Sequence, residues 1–104
     1  MEDRIVTINV KESGSAKILE VEGRIDTTTS KAFEEKLLEE LKVTTRLRID
    51  LKQVVYVSSA GLRAFLNGQK YSNKNKIEMS IFNVNDTVME VFEMTGFADI
   101  LVIE

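Results

Sequence analysis

The residues best suited to chemistry are two adjacent hydroxyls, Ser58 and Ser59, followed by Ala60, Gly61 and Leu62. The apolar run Val54 to Val57 leads into them, and Leu62, Phe65 and Leu66 recur after them at helical spacing. That pattern places small residues at the opening of a helix, with Ser58 or Ser59 as its natural N-cap. As caps alone, the serines would contribute about 1 kcal/mol each at most. The same position also suits an added phosphate, because the first amides of a helix lack intrahelical partners and the macrodipole favours an anion there. Spacing alone favours the cap and does not decide for phosphorylation.

Other chemistries are poorly supplied. The 104 residues contain no cysteine and no histidine, which removes disulfides, thiolate or imidazole metal ligands, Cys-His pairs and every histidine-dependent serine triad. No convergent polar constellation suggests a Ser-Lys or metal-carboxylate enzyme, so neither catalytic residues nor a metal site nor a cofactor is expected. No glycine-rich phosphate loop or lysine-containing nucleotide motif is present either. The formal net charge is -3, with Lys and Arg dispersed among Asp and Glu, and such a surface gives no electrostatic reason to bind nucleic acid. Met1-Glu2-Asp3-Arg4 runs directly into a strand-like segment, and no apolar run approaches bilayer-spanning length. The expectation is a single cytoplasmic domain over residues 1–104 with no membrane partner.

The elements that must hold the serines are readable from period. Val6, Ile8 and Val10 share one face of a strand over Ile5 to Val10, Glu12-Ser13-Gly14-Ser15 turns the chain, and Lys17 to Val21 returns as the second arm of a hairpin. Phe33, Leu37, Leu38 and Leu41 form the stripe of an amphipathic helix whose other side carries Glu34, Glu35, Lys36, Glu39 and Glu40 toward solvent. Arg46 to Leu51 alternates strictly, with Leu47, Ile49 and Leu51 inward, and a short connection then separates it from Val54 to Val57. Ile77, Met79 and Ile81 mark another strand. A third helix carries Val88, Val91 and Phe92, opened by Asn85 or by a Thr87–Glu90 capping box and closed by Gly96. Ile100 to Ile103 reads as a last short strand. Charge on one face of the clearest strands excludes a doubly covered parallel sheet, so the expected fold is α/β, a mixed β-sheet with its helices packed mainly on one face.

The segment from Ile49 through Asp50-Leu51 and Val54 to Val57 into Ser58-Ser59-Ala60-Gly61-Leu62 resembles the signature of the STAS domain, as found in bacterial anti-sigma-factor antagonists. Val21-Glu22-Gly23-Arg24-Ile25-Asp26 is similar to the family's second strand and its Gly-x-x-Asp turn. Asn83-Val84-Asn85 and Thr95-Gly96-Phe97 match later landmarks in the same order. The resemblance covers nearly the whole chain and implies that Ser59 is the phosphorylated serine. It further implies that Asp26, with Ser58, Ser59, Ala60, Gly61 and Leu62, meets the partner.

In such a cycle the unphosphorylated antagonist binds an anti-sigma factor that is also an ATP-dependent serine kinase and so frees a sigma factor. Phosphorylation ends the binding, and a serine phosphatase resets it; ATP is then the partner's cofactor. Many members carry Asp immediately before the acceptor. Here Ser58 stands in that place, which removes a neighbouring negative charge and makes Ser58 a rival acceptor. Two other readings remain open at this level. One is a STAS scaffold or regulator in another signalling or transport-associated assembly; the other is a receiver phosphorylated on Asp26 or Asp50, which lacks the expected acidic pair after its first strand.

Overall fold

The structure is a computed structural model that describes residues 6–104. The start of the predicted first strand at Ile5 lies outside the described residues. Strand β1 (Thr7–Ser13) pairs antiparallel with β2 (Ala16–Ile25) in a register that runs from Thr7 opposite Glu22 to Ser13 opposite Ala16, leaving only Gly14 and Ser15 as the loop. The turn is therefore tighter than the four residues expected. Helix α1 (Ser30–Leu41) follows, then β3 (Arg46–Val57), helix α2 (Ser59–Lys74), β4 (Glu78–Phe82) and helix α3 (Asp86–Thr95). The sheet order is β1-β2-β3-β4, with β2, β3 and β4 mutually parallel.

Alternation dictates which side the helices cover. Leu19, Val21, Ile25, Leu47, Ile49, Leu51, Met79 and Ile81 are buried with residues of all three helices in one core, whereas Arg24, Arg46, Glu22 and Glu78 stay exposed on the sheet. Each helix contributes one phenylalanine to the centre: Phe65 of α2 lies with its ring centroid 4.9 Å from Phe33 of α1 and 5.7 Å from Phe92 of α3. Such aromatic pairs add about 0.5–1.5 kcal/mol beyond the area they bury. The mixed sheet with helices on one face is as expected.

Three expectations need correction. First, no connection divides Arg46–Leu51 from Val54–Val57: β3 is one strand of 12 residues. Its buried positions step by two through Leu47, Ile49 and Leu51 and then by three to Val54 and Val57. The pairing with β2 shifts register at the same places, between Glu20 and Glu22 and between Gly23 and Arg24. Each step of three is a β-bulge, an extra residue that bends and twists the strand without ending it; the polar pair Lys52-Gln53 only imitates a loop.

Second, Glu40 does not face solvent with the other acids of α1. It is buried, accepts a hydrogen bond from Lys17 Nζ at 2.8 Å and lies 3.3 Å from Lys36 Nζ, and the Lys17 hydrogen bond, followed by that of Lys36, lowers its pKa.

Third, the predicted strand Ile100–Ile103 contracts to a single bridge between Ile103 and Ile81. A short 3-10 turn at Phe97–Asp99 accepts the amides of Ile100 and Leu101 at the Phe97 carbonyl, at 3.0 and 2.9 Å, so too little extended chain remains to form a strand.

Candidate functional site

The far end of β3 delivers the serine pair. The Ser58 N–H donates to the Ile25 carbonyl at 2.9 Å, continuing the parallel pairing one residue past Val57. Ser58 then leaves the strand with φ -91° and ψ 178°, and its Oγ accepts the Gly61 N–H at 3.3 Å, which makes it the N-cap of α2. Of the two cap candidates, the structure selects Ser58.

Ser59 is the first residue of the helix proper. It is exposed, and its hydroxyl makes no hydrogen bond among the described residues. The Leu62 N–H already bonds the Ser58 carbonyl at 2.8 Å, so the helix start leaves the Ser59 and Ala60 amides as its open donors.

Gly61 allows this arrangement. A Cβ there would lie 2.6 Å from the Ile25 carbonyl oxygen, 2.9 Å from Ile25 Cγ2 and 3.0 Å from Val57 Cγ1, so only glycine lets the first turn of α2 close onto the end of β2. Asn85 supports the same region from below. Its Oδ1 accepts the Val88 N–H at 3.0 Å as the N-cap of α3, while its Nδ2 donates to the Val54 carbonyl at 2.7 Å, at the second bulge of β3. The cap was legible in the sequence; the bond to Val54 was not.

Asp26 lies at the end of β2, next to the Ile25 carbonyl that receives Ser58. Its Oδ1 accepts the Thr28 N–H at 2.9 Å and the Thr28 hydroxyl at 2.8 Å, and its Oδ2 accepts Arg24 Nε at 3.3 Å. The Thr28 hydroxyl, followed by the Thr28 amide and Arg24, lowers its pKa to about 2. These bonds favour the ionised carboxylate and let Asp26 fix the turn into α1. Of the six residues expected at the partner surface, Ser59 is exposed, Asp26, Ser58 and Ala60 are partly exposed, and Gly61 and Leu62 are buried. The last two shape the surface without presenting side chains to it.

Three exposed neighbours went unnoticed in the sequence. Val55 and Tyr56 stand 62% and 40% exposed on the strand that ends at Ser58, and the Arg24 guanidinium lies 4.7 Å from the Tyr56 ring centroid. Arg63 is exposed one turn into α2. The bulge gives the first two away, since Val55 and Tyr56 occupy the interval between inward-facing Val54 and Val57. Among the described residues no group of three or more Asp and Glu could hold a metal ion, and no helix is long and apolar enough to cross a membrane.

The family model of the STAS domain matches residues 7–104. The chain belongs to the STAS domain family. It is 34% identical over 101 residues to the anti-sigma-B factor antagonist of Listeria monocytogenes, covering 95% of this chain and 89% of the relative. The crystal structure of an anti-sigma factor antagonist from Mycobacterium paratuberculosis superposes with a TM-score of 0.87 at 20% identity, over 96% of this chain and 86% of that one. The anti-sigma factor antagonist SpoIIAA in its unphosphorylated form superposes with a TM-score of 0.77 at 13% identity, over 94% of this chain and 88% of that one. These two likenesses establish the STAS fold.

Proposed function

We propose that this chain is an anti-sigma-factor antagonist, a non-enzymatic cytoplasmic regulator that binds an anti-sigma factor when Ser59 is unmodified and releases it when Ser59 is phosphorylated. The observation that carries the proposal is the inequality of the two serines. Ser58 is partly buried with its oxygen engaged as the helix cap, whereas Ser59 offers an exposed hydroxyl, unbonded among the described residues, beside two open amides. The relative in Listeria monocytogenes supports the class of partner.

The anti-sigma factor doubles as the kinase: it moves the γ-phosphoryl group of ATP to Ser59 Oγ, the hydroxyl proton leaves and ADP is released. A serine phosphatase returns the hydroxyl by hydrolysis. Asp26, Ser58 and Ala60 border the contact, and Gly61 and Leu62 hold its shape. The whole chain acts as one STAS domain.

The switch works by direct exclusion. A phosphate at the helix start gains about 0.3–1 kcal/mol from the dipole and free amides, too little to rearrange a domain. At an interface, a unit charge about 4 Å from a like charge costs on the order of 4 kcal/mol at an effective dielectric of 20, or roughly a thousandfold in affinity.

Calorimetric titration of the anti-sigma factor against unmodified protein, phosphorylated protein, Ser59→Ala and Ser59→Asp tests the proposal, with peptide mass spectrometry locating the phosphate. Ser59→Ala should bind like the unmodified protein. Ser59→Asp should bind more weakly, though less so than the phosphoprotein, because one carboxylate carries less charge than a phosphate of nearly two. Phosphate found mainly on Ser58, or equal affinity of the modified and unmodified proteins, would overturn the switch and leave a STAS scaffold.

A further inference from the structure

Ser59 has a neighbour whose charge no described residue satisfies. Among the described arginines, Arg24 pairs with Asp26 at 3.3 Å, Arg46 with Glu78 at 3.0 Å and Arg48 with Glu104 at 2.7 Å. Arg63 makes neither an ion pair nor a side-chain hydrogen bond to any described residue, although it is exposed on α2. It lines a groove of about 370 Å³ between α1 and α2, together with Lys31, Glu34, Glu35, Ala60 and Asn67. The acids across that groove do not take it: the Glu34 carboxylate accepts instead from Asn67 Nδ2 at 3.2 Å.

Arg63 follows Ser59 by four residues in the same helix, a spacing that puts the two side chains on one face with Cβ atoms roughly 5–6 Å apart. We propose that Arg63 is the residue that holds the phosphate of phosphorylated Ser59, closing a guanidinium–phosphate pair within the same helix. This rests on Ser59 being the phosphoacceptor.

The order of the pair is the favourable one, with the anion toward the helix N-terminus and the cation a turn later. The planar guanidinium fork can reach two phosphate oxygens at once, which a lysine ammonium cannot match. The consequence for recognition is twofold. In the unmodified protein Arg63 presents a positive charge beside Ser59 that no described residue pairs; in the modified protein that charge is covered. One covalent event therefore both adds an anion to the surface and removes a cation from it, and a partner contact to Arg63 is lost together with the gain of repulsion at Ser59.

The test uses the full chain with phosphoserine inserted at position 59 during translation, so it needs no kinase and no partner. Phosphorus NMR titration reads the second ionisation of the phosphate. Capture by Arg63 stabilises the dianion, so the second pKa in the unmutated background should lie roughly 0.3 of a unit or more below that of Arg63→Gln. Arg63→Lys should restore only part of the difference, and Lys31→Gln should shift the value less than Arg63→Gln does. The Arg63 Nε–H resonance should move when position 59 changes from serine to phosphoserine.

Equal second pKa values for the parent and Arg63→Gln, or an equal effect of Lys31→Gln, would overturn the pair. Full restoration by lysine would reduce it to unspecific charge and overturn it as well. Failure of an anti-sigma factor to phosphorylate Ser59 would instead strike the proposed function and leave this measurement as it stands, so the two failures are distinguishable.

Discussion

Two grooves of this molecule invite comparison, and the larger is the one whose charged side chains are paired with one another. Along β4, a concavity of about 590 Å³ is lined by Arg46, Arg48, Glu78, Ser80 and Glu104 among others. Its charges answer one another. Arg46 Nε lies 3.0 Å from Glu78, Arg48 reaches Glu104 through Nε at 3.0 Å and Nη2 at 2.7 Å, and the Ser80 hydroxyl also donates to Glu104. At the Ser59 end the groove is smaller, about 370 Å³, yet a hydroxyl, a guanidinium and two helix amides lack partners among the described residues. Unmet bonding capacity separates the surface proposed for a partner from a concavity closed on itself, and volume ranks the two in the opposite order.

The comparison can be broken, and the largest expected effect comes from the frame of the Ser59 end. Gly61→Ala forces a Cβ against the Ile25 carbonyl oxygen, a backbone atom that cannot swing aside, so urea denaturation should show a loss of about 1–3 kcal/mol. An unchanged midpoint would mean that this end is not tightly framed.

Next in size is the contrast between neighbouring serines. Ser58→Ala removes the cap of α2 and should cost about 1 kcal/mol, whereas Ser59→Ala should stay within about 0.5 kcal/mol, as expected of an exposed, unbonded side chain. Sequence reasoning assigned the cap cost to either serine, and the structure assigns it to Ser58 alone. Equal losses in thermal melts would erase the division of labour between them.

Glu104→Gln tests the satisfied groove. The Arg48 hydrogen bond, followed by that of Ser80, lowers the Glu104 pKa to about 2 from its ordinary 4.5. As pH falls, the unfolded chain takes up this proton first, so the contribution is complete above about pH 5 and is lost as pH drops through 4.5 toward 2. The pair is partly exposed, and the effect should stay below about 1 kcal/mol. Melts of the parent and Glu104→Gln should differ above pH 5 and converge near pH 2, with partner affinity unchanged throughout. Weakened binding by Glu104→Gln would return this groove to the list of functional surfaces.

The smallest effect belongs to the outer face of α1. Glu35 and Glu39 are exposed, and charged helical faces are usually only solvated. Reversing both to Lys should move stability by no more than about 0.5 kcal/mol and leave calorimetric affinity for the anti-sigma factor within tenfold. A larger loss with the fold intact would extend the partner surface onto α1.

The sequence disclosed what depends on period and misled where one element answers another. Phe33, Leu37 and Leu41 are fully buried as their spacing demands, and Asn85 and Gly96 bound α3 as caps of the expected kinds. Glu40 was misplaced because helical spacing sees only α1, and Lys17, which holds it, stands 23 residues earlier on β2. The bulges of β3 were read as a loop because an inserted residue breaks alternation just as a connection does. Their trace was nevertheless present in the change from steps of two to steps of three. At the site, the small residues around Ser59 were legible, but the engagement of Ser58, the saturation of Asp26 and the isolation of Arg63 depend on distances between elements, which no local pattern encodes.

The bond from Asn85 Nδ2 to the Val54 carbonyl spans 31 positions of the chain, and synthesis runs from the amino end. When Ser59 is joined to the growing chain, the residue that ties α3 to the strand beneath it has not yet been made. The second bulge of β3, and with it the strand end that carries Ser59, therefore stays untied until the last part of the chain has been made and has folded back onto it.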